Sequence, residues 1–277
     1  MEKLTSILLV LESADTDSKV LEKTIALARR FGARVDLLLD DPHVAAQLAA
    51  SCSARGYDEV LPHCVARGRE SLAELIPKYA IAHSPDLVVK PRAGAHAEAS
   101  GIFQRVDQQL AMACPAPLML MQEKDWPEPV RIAATVDVSG EEAALARGIL
   151  DIAGFLSLGC GGELAVLYSE REHFDESLRM ERAVKLARLV REFHVDGQRI
   201  RHLNGAPEET LPPIAASGEY DVLVVGALTH QQGLAAWRAT LTRRVVAAFA
   251  GDVVLVKEAA PACVGQRMAS LKYRVAL

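Results

Sequence analysis

The sequence predicts an α/β protein of two similar halves in tandem, each an open, mostly parallel sheet wound with helices on both faces. Three observations carry this. The first is an internal repeat: Asp86-Leu87-Val88-Val89-Lys90 and Asp221-Val222-Leu223-Val224-Val225 are short apolar runs introduced by Asp, 135 residues apart. The same spacing, kept without a gap, carries Leu118-Met119-Leu120-Met121 onto Val253-Val254-Leu255-Val256. The second is what lies between these runs. Val106, Leu110 and Cys114 match Leu241, Val245 and Phe249, each set spaced by four so that it forms an apolar stripe along one helix face. The third is that the strand-like runs are continuously apolar rather than alternating, as in strands buried on both faces of a parallel sheet.

Taken in order, each half opens on an apolar strand that ends at an acidic residue, Ile7 to Glu12 and Ile132 to Asp137. Helices are expected at 17–31 and 140–157, followed by strands at Arg34–Leu39 and Glu163–Tyr168. Next come Gly68-Arg69-Glu70-Ser71-Leu72 and Gly205-Ala206-Pro207-Glu208-Glu209, both leading into a helix that stops before the Asp-led strand. Pro212 and Pro213 are assigned to the first turn of the second of these helices, where a missing N–H costs little, and Pro77 is expected to kink its counterpart. Glu208 and Glu209 complement the dipole at the head of their helix. Right-handed crossovers leave the doubly wound arrangement as the economical topology. Gln122 to Pro129, with Lys124-Asp125-Trp126-Pro127-Glu128-Pro129, is a stiff linker that favours packed halves. The last strand of each half offers the apolar edge for joining them. The division expected is 1–124, 129–258 and a C-terminal extension over 259–277.

Composition removes several classes. Of 277 residues, 50% are hydrophobic, 24% charged and only 5% aromatic, as in a soluble globular protein. The net charge of −5 with no large basic block disfavours nucleic acid as a partner. No apolar run approaches the roughly 20 residues that span a bilayer, and Met1-Glu2-Lys3-Leu4-Thr5 does not read as a signal peptide. Five cysteines, at 52, 64, 114, 160 and 263, lack CxxC spacing, which points to a reducing cytoplasm and away from disulfides. His63-Cys64 is too close a pair for joint metal coordination, so no metal is expected. Cys114 is expected inside, as a small hydrophobe.

With the repeat laid out, Leu203-Asn204-Gly205-Ala206-Pro207-Glu208-Glu209-Thr210-Leu211-Pro212 followed by Asp221-Val222-Leu223-Val224-Val225-Gly226 resembles the universal stress protein family. The likeness lies in a Gly-x-Pro turn, a short helix, then Asp and a strand ending in Gly. The Asp-led strand of the first half and the Trp-Pro linker are similar to the tandem E type, over residues 4–258. The resemblance implies five-stranded, mostly parallel Rossmann-like sheets of the adenine nucleotide alpha hydrolase-like kind. It also implies a cytoplasmic, non-enzymatic role in surviving stress, and pairing through the last strand, satisfied inside the chain as a pseudo-dimer or between chains as a homodimer.

Members that bind ATP carry a loop after the fourth strand of the form Gly-x2-Gly-x9-Gly-Ser/Thr. Its backbone N–H groups and the following helix N-terminus cradle phosphates. The positions carried over in the second half are Gly226, Thr229, Ala239 and Thr240, which keep one of three glycines and the hydroxyl. Asp137 takes the acidic position near the adenosine, and Gly233 supplies loop flexibility. Competing readings are N-capping for Asp137 and Thr240 and a tight turn for Gly226. Arg243 and Arg244 lie within reach of an anion or are solvated, and His230 is a polar loop residue with no partner for catalysis. The first half offers Pro91, Gly94, Gln104 and Arg105, with one missing N–H and two bulky side chains, and no triphosphate is expected there.

The function expected is a non-enzymatic stress-response protein that binds a small ligand in its second half, ATP or AMP being the candidate cofactors, or a protein partner. The alternatives are a slow ATP-hydrolysing or adenylate-transferring enzyme and a pure interaction scaffold. The degraded loop and the lack of an acid/base set count against the enzyme.

Overall fold

The computed structural model describes residues 4–11, 18–39, 42–58, 60–64, 70–92, 105–138, 144–170, 175–193, 195–227 and 241–257. Among these described residues ten strands form one sheet. They are β1 Ser6–Val10, β2 Arg34–Leu39, β3 Val60–Cys64, β4 Leu87–Pro91, β5 Leu118–Met121, β6 Arg131–Val136, β7 Glu163–Glu170, β8 Ile200–Asn204, β9 Val222–Gly226 and β10 Asp252–Val256. The order across the sheet is β3-β2-β1-β4-β5-β10-β9-β6-β7-β8. Every neighbouring pair is parallel except β5 and β10, which run antiparallel with Leu120 opposite Val253, Met119 opposite Val254 and Leu118 opposite Leu255. Met119 and Val254 are repeat-equivalent, so a local twofold passes between them. The two predicted five-stranded sheets are thus joined at their last strands.

Helices α1 Lys19–Phe31, α2 Pro42–Ala54, α5 Ala144–Cys160 and α6 Glu176–Glu192 cover one face. Helices α3 Leu72–His83, α4 Arg105–Ala113, α7 Pro207–Ala216 and α8 Leu241–Ala248 cover the other. Strand side chains alternate between the layers: Ile7 and Leu9 pack under the first set, Leu8 and Val10 under the second. Each core runs through both halves without a break. Phe31 of α1 meets Phe155 of α5 edge to face, with centroids 5.4 Å apart.

The Asp that leads each fourth strand has a local reason. Asp86 Oδ2 accepts from the N–H of Ser6 at 3.1 Å and of Thr5 at 2.8 Å. Asp221 Oδ2 accepts from the N–H of Arg131 at 2.9 Å, and its carboxylate also receives the Arg131 guanidinium. Each carboxylate pins the start of the first strand of its half. Burial pushes the Asp221 carboxyl up, but the hydrogen bonds from Arg131 prevail and hold it below its ordinary value.

One expectation changes. Helix α7 begins at Pro207, which takes the first helical position, so Pro212 and Pro213 stand in the helix interior rather than its first turn. Their missing N–H groups face Glu208 and Glu209 near the start of a ten-residue helix. Pro77 lies inside α3, which continues through it from the Ser71 cap to His83. Among the described residues no helix is long and apolar enough to cross a membrane, and no cluster of metal-ligand side chains occurs.

A knot of polar groups closes the seam between the halves. Asp252, at the start of β10, accepts from the Gln122 N–H at 2.6 Å, from Trp126 Nε1 at 2.6 Å and from Lys23 Nζ at 2.7 Å. Lys23 is 7% exposed and also donates to the Gln122 carbonyl at 3.0 Å. The linker is therefore bolted to the second half through one buried carboxylate, with the Lys23 ammonium 5.0 Å from the Trp126 ring centroid.

Candidate functional site

The chain reverses direction across the sheet between β6 and β9. From β6 it winds outward to β7 and β8, then returns to β9 and β10 on the other side. Helices leaving two adjacent strand ends in opposite directions cannot fill the space between them, and a crevice opens beyond the carboxyl ends. Here it is a cavity of about 550 Å³. Leu145, Ala146 and Ile149 of α5, Leu167 of β7, Leu211 of α7, and Leu241 and Val245 of α8 give it an apolar wall. Polar groups reach it from Thr135 of β6, Asp137 just after that strand, Ser169 of β7, Arg182 of α6, Glu208 of α7 and Thr242 of α8. An apolar slot with a few convergent polar groups is the usual form of a small-molecule site.

Two of the six residues assigned from the sequence, Asp137 and Gly226, lie together on this cavity, at the ends of the two strands that flank the reversal. Asp137 is exposed at its rim. Gly226 has an ordinary backbone conformation, and a Cβ built on it would stand 3.0 Å from Leu145 Cδ2 and 3.6 Å from Ile149 Cδ1. The glycine therefore admits α5 close to the strand end. Its carbonyl accepts from Thr242 Oγ1 at 2.9 Å, which ties the strand to α8. Thr229, Gly233, Ala239 and Thr240 lie outside the described residues, as do His230, Gly94 and Gln104.

The Gly-x-Pro turn shapes another wall. Gly205 has φ +125°, a conformation open to glycine, and starts the turn that sets Pro207 at the head of α7. Thr210, one turn into that helix, donates to the Ala206 carbonyl at 3.1 Å and shares a hydrogen bond with Ser169. Ser169 Oγ also lies 3.2 Å from the Gly205 carbonyl, its one proton shared between that carbonyl and Thr210, so β7 and α7 are fastened beside the cavity. Behind it, burial raises the Tyr168 phenol above its ordinary value, Glu170 adding to the effect and Arg182 opposing it.

Arg182, Glu208, Ser169 and Thr242 were not assigned from the sequence. Thr242 had a signal available, since it lies within the aligned repeat. Arg182 had none, because it is one of several arginines on a largely polar helix.

The corresponding place in the first half is built differently. Lys90 and Asp107 occupy the repeat positions of Val225 and Thr242, both of which line the open cavity. Lys90 Nζ lies 3.3 Å from Asp107 Oδ1, with the two side chains 3% and 1% exposed. An internal ion pair stands there in place of the lining.

No family model matches the chain. The protein named universal stress protein E homolog from Haemophilus influenzae is 24% identical over 191 residues, 62% of this chain and 62% of that protein. Universal stress protein E of Salmonella typhi is 24% identical over 204 residues, 66% of this chain and 64% of that protein. The match thus spans less than two thirds of the length of either curated relative. Among solved structures, a protein from Pseudomonas aeruginosa UCBPP-PA14, provisionally named a universal stress protein, superposes with a TM-score of 0.76 at 20% identity. That superposition covers 96% of this chain and 98% of the other, and at such identity it speaks to the fold. Likeness in sequence to two proteins of that name, together with a fold shared over 96% of the chain, supports kinship with the universal stress protein family.

Proposed function

We propose that the chain is a non-enzymatic stress-response protein that holds one small ligand, an adenine nucleotide or nucleoside, in the cavity of its second half. The observation that carries this reading is the cavity at the strand reversal, with Asp137 and Gly226 on its border. Its apolar wall suits the flat face of a base. The Asp137 carboxylate accepts hydrogen bonds from ligand hydroxyl or amino groups. Two carboxylates, Asp137 and Glu208, against the single guanidinium of Arg182 on the described lining favour the base and sugar there over the phosphates. The described lining carries no recognisable nucleophile with a paired base, which supports binding over turnover.

The test is mass spectrometry of small molecules released from gently purified protein, followed by calorimetric titration with ATP, AMP and adenosine. An adenine compound near one per chain, without hydrolysis, is the expected outcome. Hydrolysis above a buffer blank would replace this reading with the enzyme. A chain that is empty and binds none of the three would replace it with an interaction scaffold.

A further inference from the structure

Helices α4 and α8 are repeat-equivalent, and each ends against the other half. Arg92, the residue after β4, is 3% exposed and crosses the seam to the end of α8. Its Nη2 donates to the Val246 carbonyl at 2.8 Å, and its Nη1 to the carbonyls of Phe249 and Gly251, both at 2.8 Å. Its own N–H donates to the Met121 carbonyl at 2.6 Å, so the arginine is anchored on β5 before it reaches across. In the other direction Lys257, the residue after β10, donates from Nζ to the Cys114 carbonyl at 2.8 Å, at the end of α4. Cys114 and Phe249 are repeat-equivalent. Arg92 and Lys257 are not, since the positions matching them are Ala227 and Gln122. The same need is met from two unrelated places.

The last carbonyls of a helix have no partner within it, and the dipole leaves that end negative. A cation that satisfies them also fixes where the helix stops. The two caps differ in what they hold. Helix α4 lies over the first half, where Lys90 and Asp107 stand at the cavity-lining positions. Helix α8 supplies Leu241, Thr242 and Val245 to the open cavity.

We propose that Arg92 is a positioning residue for the cavity of the second half, holding α8 from the first half at the height that keeps the site open. This rests on the function proposed above for that cavity. It gives the first half a task in ligand binding although a buried ion pair stands at its own cavity-lining positions.

The test compares Arg92→Ala with Lys257→Met, which removes the reciprocal cap on α4. Adenosine and ATP are the probes, titrated well below each variant's Tm, and hydrogen exchange of α4 and α8 is followed without ligand. Affinity lower by about tenfold in R92A and unchanged in K257M is the expected result, with Arg92→Lys recovering part of the loss. Exchange should quicken by about tenfold in α8 alone for R92A, and in α4 alone for K257M. If the wild-type chain binds neither probe, the ligand reading falls, while the exchange pattern still decides the positioning role. Unchanged α8 exchange in R92A, or equal losses of affinity in both variants, would overturn the proposal.

Discussion

Lys257 shows at a single side chain what burial does to an ammonium beside a carbonyl and little else. Desolvation lowers it from 10.5 to about 8, opposed by the nearby Cys114. Between these values the unfolded chain holds a proton that the folded chain has released, so this residue's contribution to stability rises with pH across that window and is least below it. Cys114, whose thiol burial pushes up, acts with the opposite sign as its own titration is reached. The expected outcome is that the stability of wild type relative to Lys257→Met increases from about pH 8 to about pH 10. Urea midpoints of the two proteins across that range check it, and a flat difference would contradict it. Asp252 carries a larger penalty. Asp252→Ala leaves the Lys23 ammonium 7% exposed without its carboxylate and strips the Trp126 indole and Gln122 amide of their acceptor. A loss of about 3–5 kcal/mol is expected in urea unfolding. Neither role was legible in the sequence. Lys23 is one lysine of an amphipathic helix and Asp252 follows a glycine, and only folding brings them to 2.7 Å over 229 positions.

At the scale of elements, the repeat made most of the architecture readable. Leu110 and Cys114 are buried as their spacing predicted, as are Val245 and Phe249. The second strand is Arg34–Leu39 as expected, and helix α1 begins within two residues of its prediction. What was missed lies where local signals are weak. Strand β3 contains Pro62 and His63, and it forms because it is an edge strand, where a missing N–H can face away from the ladder. Helix α2 is rich in alanine and shows little contrast between its faces. Gly226 was read for its backbone freedom, whereas its conformation is ordinary and the want of a side chain is what matters. A Val there must displace Leu145 or Ile149 or project into the cavity. Gly226→Val should therefore weaken adenosine binding by about tenfold or more while the chain stays folded. Titration together with circular dichroism checks this, and unchanged affinity in a folded variant would remove Gly226 from the site.

For the molecule as a whole, the consequence of two cores running through both halves is shared stability. Neither half can lose its β5 or β10 edge without exposing strands that are buried on both faces. Calorimetry should show one transition, with equal calorimetric and van't Hoff enthalpies, although the sequence repeats. Two resolved transitions would mean that the seam is weaker than its hydrogen bonds and packing suggest. The sequence foretold joining through the last strands from their apolar character. The cross-seam caps lay beyond it, because Arg92 and Lys257 fall at positions that do not correspond in the repeat.

The antiparallel meeting of β5 and β10 also changes what dilution can do. Separate chains that pair through such an edge must find each other, and their pairing fades as the protein becomes scarce. Here Gln122 to Pro129 hold the two edges together at an effective concentration on the order of millimolar, whatever the number of copies in the cell. A handful of molecules would keep the assembled sheet, and with it the Arg92 cap on α8, as completely as a concentrated solution does.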